Sequence, residues 1–86
     1  MEAESPRFPT VQEIEEESRR IRRLRIAVHF ALSCIAQGGI SMEEARALED
    51  ATRVAAVHLF PGKGSTFDLI YAPQFERMIR EVYRPA

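Results

Sequence analysis

The chain has 86 residues, room for one small domain and no more. Hydrophobic residues make up 45% and charged residues 29%, an ordinary globular balance that argues against wholesale disorder. Twelve basic against thirteen acidic side chains leave a formal net charge of −1, which disfavours nucleic-acid binding through global charge.

A chain this short buries only about 60–65% of its unfolded surface, so its core is marginal. The single cysteine excludes an intramolecular disulfide, and no Cys/His spacing resembles a zinc module. Oligomerisation is the remaining remedy, and self-association is the first functional expectation. The acidic start, Met1-Glu2-Ala3-Glu4-Ser5, has neither the basic nor the apolar region of a secretory signal. The longest nearly apolar run, Ile26 to Ala36, has eleven residues where a membrane span needs about 20. The expected setting is the cytoplasm, with no membrane partner.

Residues 1–9 carry Pro6 and Pro9 among polar side chains and read as a flexible lead to a single helical domain over 10–86. Thr10-Val11-Gln12-Glu13 is a capping-box pattern, and no Gly or Pro follows until Gly38-Gly39. The spacing predicts a first helix over about 10–37, roughly 40 Å long at 1.5 Å per residue. Such a helix outruns a compact domain of this size, so one end is expected to pack on a partner chain.

Its two halves differ. Acids at 13, 15, 16 and 17 precede arginines at 19, 20, 22, 23 and 25, with Glu15–Arg19 and Glu16–Arg20 at the i,i+4 spacing of helix ion pairs. Ile14, Ile21, Val28 and Ile35 recur every seven residues, with Leu24 and Ala31 between them. Ile21, Leu24, Val28, Ala31 and Ile35 are the candidate seam for the core or for a dimer. From Ile26 to Ala36 the helix is apolar on nearly every side and needs cover all round.

Ser41-Met42-Glu43-Glu44 repeats the capping signature and opens a second helix over about 42–60, stopped by Pro61. The short link makes the pair an antiparallel hairpin. Alanines 45, 47, 51, 55 and 56 permit close approach, and Leu48, Thr52, Ala55 and Leu59 mark the expected core stripe. A third segment over about 66–83 keeps one helical phase through Phe67, Ile70, Tyr71, Phe75, Met78, Ile79 and Val82. It reads as one helix kinked at Pro73, or two short helices in line, with Ser65 and Asp68 at its capping positions. No stretch alternates with the period of two that a strand requires. The fold class is all-α: a helical hairpin and a C-terminal helix, completing a bundle as a dimer.

Candidate chemistry is sparse. Gly62-Lys63-Gly64-Ser65-Thr66 precedes a helix, and Lys63, Gly64, Ser65 and Thr66 are the candidate anion site. A phosphate-binding loop needs G-x-x-x-x-G-K-[ST] after a strand, so an ordinary helix–helix turn is favoured. Arg19, Arg20, Arg22, Arg23 and Arg25 are the candidate partner-binding cluster, for an acidic protein first and nucleic acid second. A solvated, salt-bridged helix face is the plain alternative. His29 lies near the level of Asp50, but Cys34 sits about 140° round the helix and no serine completes a nucleophile. A hydrogen-bonded histidine in an interface is expected instead. Cys34 reads as a small core residue. No Glu-x-x-His pair supports a di-metal centre. Tyr71 and Tyr83 are expected to seal the third segment against the hairpin.

Gly39-Ile40-Ser41-Met42-Glu43-Glu44-Ala45, between two helices, resembles the corresponding turn in the small subunit of exodeoxyribonuclease VII, a helical-hairpin accessory protein. The resemblance is confined to this turn, and no residue role comes from it. The expectation is a non-catalytic, cofactor-free, self-associating helical module that binds another macromolecule. A nucleic-acid-binding accessory protein is the alternative, and a phosphate-ligand binder the third.

Overall fold

The computed structural model describes residues 8–84, and among them it contains four α-helices and no strand. Residues 1–7 of the expected flexible lead lie outside the described residues; Phe8 and Pro9 are non-helical. α1 spans Val11–Ala36. Thr10 starts it: its backbone is extended and its Oγ1 accepts the Glu13 amide at 3.1 Å, satisfying a donor that has no partner within the helix. At the other end the Gly38 amide donates to the Ile35 carbonyl at 3.0 Å, and Gly38 takes φ +71°, where a side chain is strained.

α2 spans Met42–Leu59 and carries a complete capping box. The Glu44 amide donates to Ser41 Oγ and the Ser41 amide donates to Glu44 Oε1, both at 3.0 Å. The Ser41 backbone and hydroxyl bonds hold the Glu44 carboxyl below its ordinary value. Pro61 follows, and Gly62 turns the chain at φ +80°.

The third segment is two helices. α3 spans Gly64–Ile70 and α4 spans Ala72–Val82, with the break at Tyr71. Pro73 sits in the first turn of α4, where its missing N–H is no loss. The Gln74 amide bonds the Tyr71 carbonyl at 2.9 Å, and Gln74 Nε2 reaches back to the Ile70 carbonyl at 3.3 Å. The side chain thereby serves a carbonyl that the break leaves open. α3 begins at Gly64, with Lys63 at its cap; lysine has no side-chain acceptor, so no side-chain capping bond forms, and the Asp68 carboxylate is bound by Arg53.

The core draws on every helix. Val28, Ala31 and Ile35 come from α1, Ala45, Thr52 and Ala56 from α2, Phe67 from α3, and Phe75 and Ile79 from α4. Phe75 and Ile35 are the largest side chains fully enclosed. On α2 the buried stripe is Ala45–Thr52–Ala56, whereas Ala55 and Leu59 are only half-buried. The smallest side chains take the centre, where helices approach closely, and Leu48 packs at the edge. Thr52 keeps its hydroxyl satisfied by donating to the Leu48 carbonyl at 2.7 Å.

α1 packs on both α2 and α4, and α4 also touches α2 and α3. Phe67 stacks obliquely against Tyr71 and Phe75, at 5.6 and 6.2 Å between centroids. Tyr83 donates its hydroxyl to the Ile40 carbonyl at 2.7 Å, tying the end of α4 to the loop between α1 and α2. Arg46 and Glu76, 3.8 Å apart, link α2 to α4 at the surface. Cover on α1 is incomplete: Ile26 and Phe30 remain 62% and 65% exposed.

Burial therefore separates two phenylalanines of equal size. Phe75→Ala should lower the unfolding free energy by about 3–5 kcal/mol through lost transfer and a residual cavity. Phe30→Ala should change it by less than about 0.5 kcal/mol. Urea denaturation followed by circular dichroism checks both.

Candidate interaction surface on the first helix

The functional question turns on where α1 has neighbours and where it has none. α2 ends beside its middle: the Arg20 guanidinium lies over the Phe60 ring at 5.7 Å. Val11 to Arg19 extend past that point, and all of them are exposed except half-buried Glu13. The candidate seam is thereby divided. Val28, Ala31 and Ile35 belong to the chain's own core and Leu24 packs against it, whereas Ile21 lies at its open edge. Ile14, further out, is 50% exposed.

All five arginines of the cluster, Arg19, Arg20, Arg22, Arg23 and Arg25, are exposed. Among the described residues none of them joins an ion pair. The i,i+4 pairs expected with Glu15 and Glu16 are not closed; Arg19 Nε instead donates weakly to the Glu15 backbone carbonyl at 3.5 Å. Arg20 lies over the Phe60 ring. Exposed pairs of long side chains gain little over hydration, which is the physical reason for the open geometry.

Beside this stretch lies a cleft of about 400 Å³, lined by Ile21, Leu24, Phe60, Phe67, Ile70 and Tyr71, with Lys63 and Thr66 also on its wall. It forms where α1 runs past the end of α2, with residues of α3 on its wall. Its lining is predominantly apolar.

The glycine-rich turn is accounted for differently. The Arg53 guanidinium makes a two-point bond to Asp68, Nε to Oδ1 at 2.7 Å and Nη2 to Oδ2 at 2.9 Å. A Cβ on Gly64 would stand 2.8 Å from Arg53 Nη2, so glycine there makes room for the guanidinium. The Thr66 and Phe67 amides are taken by the Lys63 carbonyl. Gly64 thus lies beside an ion pair between α2 and α3, within the turn that carries the candidate anion residues Lys63, Gly64, Ser65 and Thr66. Sequence reasoning missed Arg53; its signal was a glycine in a helix start together with an acid that caps nothing.

His29 is exposed between Ile26 and Phe30, and among the described residues it has no hydrogen bond within the chain. His58 is exposed beside Val54 and Pro61. Cys34 is a free, half-buried thiol. Among the described residues no group of His, Cys, Asp or Glu could hold a metal ion, and no helix is long and apolar enough to cross a membrane. No family model, curated protein or solved structure matches the chain.

Three carboxylates displaced from their ordinary values set how stability depends on pH. The Arg53 bond holds Asp68 below its ordinary value, as the Ser41 bonds do Glu44. A lowered folded-state pKa contributes stability above the ordinary carboxylate range and loses it as pH falls through the folded value. Glu49, raised by burial and by Glu76 and Asp50, acts in the opposite sense. The Asp68 and Glu44 contributions are therefore lost in acid, while that of Glu49 runs the other way. Asp68→Asn should flatten the fall in urea midpoint between pH 5 and pH 3, and an unchanged slope in the variant would remove Asp68 from the account.

Proposed function

We propose that the protein is a non-catalytic helical module that self-associates as a homodimer and acts by binding another macromolecule. In this reading α1 and the alanine-rich α2 form an antiparallel hairpin, α3 and α4 close it, and a second copy completes the bundle. One observation carries it: α1 runs on past the end of α2 with Val11, Ile14 and Ile21 exposed. A small domain without disulfides draws much of its stability from such pairing. Sedimentation equilibrium at micromolar concentration tests it directly, since a dimer has twice the monomer mass of 9.8 kDa. A monomer at every concentration, with cooperative unfolding, would refute the reading.

A second reading rests on the arginines. Arg19, Arg22, Arg23 and Arg25 are exposed and committed to no acid among the described residues, which suits an acidic protein partner or the phosphates of a nucleic acid. Nucleic-acid binding should weaken steeply from low to moderate salt as the entropy gained by releasing counterions falls. A variant with all five arginines changed to Gln keeps helix propensity and should remain as helical as the wild type. It should lose binding to duplex DNA, single strands or RNA at low salt. No shift with any of these in the wild type dismisses the nucleic-acid arm.

A further inference from the structure

The order of charge along α1 is the first of two observations that bear on how copies pair. Glu15, Glu16 and Glu17 precede Arg19, Arg20, Arg22, Arg23 and Arg25, so the free half of the helix is acidic outside and basic toward the middle. At about 100° per residue, Ile14 and Ile21 share one stripe. Glu17 and Arg20 flank that stripe on one side, and Glu15 and Arg22 on the other. The second observation is the cleft of about 400 Å³, which begins where the stripe meets Ile21 and Leu24 and leaves Ile70 half-exposed.

We propose that a second copy of this chain occupies both features, its α1 antiparallel to the first. Ile14 of each copy then lies opposite Ile21 of the other, and Val11 comes to the level of Leu24, on the other flank of the stripe from the cleft. The proposal rests on the self-association reading above and specifies its surface and sense. Antiparallel pairing in this register brings Glu17 of one copy within a turn of Arg20 of the other, and Glu15 within a turn of Arg22, with the two Glu17 side chains meeting at the two-fold axis between the two Arg20 side chains. The two-fold axis makes each contact twice. Parallel pairing in register would instead set acid beside acid and arginine beside arginine along the same flanks, a repulsive arrangement. A helix that is only acidic or only basic meets one block and opposes the other. The matching partner carries both blocks in reverse order, and this chain run backwards is such a helix. Val11, 72% exposed, and Ile14 gain the apolar cover that their own chain does not supply.

The test uses the full chain with Cys34→Ala, carrying Ile14→Cys or Ile21→Cys singly. Both sites are exposed, so circular dichroism should show unchanged helix content. Under mild oxidation a mixture of the two variants should cross-link to a mixed dimer, while neither alone cross-links appreciably. In the antiparallel pair, like positions are separated by seven residues, or about 10 Å, beyond disulfide reach. Association should also weaken at least about tenfold in Glu15→Arg/Glu17→Arg and return when that variant is mixed with Arg20→Glu/Arg22→Glu. Efficient cross-linking of Ile14→Cys with itself would show parallel pairing and overturn the proposal. A wild-type dimer whose variants cross-link in no combination would overturn this surface and leave self-association standing. A wild-type monomer in sedimentation would overturn both.

Discussion

α1 has 26 residues and α2 has 18, and most of what is distinctive about the molecule follows from that mismatch. Two packed helices can cover one another only along their shared length. Where α2 stops, at Phe60, α1 exchanges a neighbour for solvent, and its composition changes from Ile26–Ala36 apolarity to a mixed acidic and basic surface. The change is not complete, because Val11, Ile14 and Ile21 persist through the charged half. Apolar side chains that continue beyond the intrachain core contribute nothing to the monomer; burying them against a further surface gains about 25 cal/mol per Å².

The helices were legible because their punctuation is local. Thr10, Ser41 with Glu44, Gly38 and Pro61 act through bonds or backbone preferences within a few residues, and each ends or begins an element where the pattern places it. What depended on three dimensions was harder to read. The buried stripe of α2 runs through Ala45, Thr52 and Ala56 and leaves Ala55 and Leu59 half-buried, and choosing between two adjacent alanines depends on the phase of the helix against its neighbours, which composition does not reveal. Pro73 was ambiguous for a different reason: a proline at the start of a helix and a proline that kinks one look alike in sequence. Here Gln74 decides it by bonding back to Ile70.

The turn at 62–66 is followed by a long-range ion pair that no local pattern announces: Asp68 is bound by Arg53, fifteen residues earlier. Gly64 lies against that guanidinium, close enough that a Cβ there would stand 2.8 Å from Nη2. Residues separated by a whole turn and half a helix leave no spacing signature, so sequence alone could not connect them.

The candidate site was half legible. The arginine cluster was recognisable by charge, but its division of labour depends on direction about the helix axis. Arg20 is held over Phe60, and in the proposed pair Arg20 and Arg22 face acids of the other copy. Arg19 and Arg23 point the other way, sharing the outward face with Ile26 and Phe30 by helical phase. That face has an exposed apolar centre with basic residues beside it, the anatomy of a protein interface more than of a phosphate track. A nucleic-acid surface gains by adding cations, and pairing here subtracts them. If the copies associate as proposed, the same arginines cannot serve both purposes in full, and the surface left for a further partner is the smaller, more apolar one around Phe30.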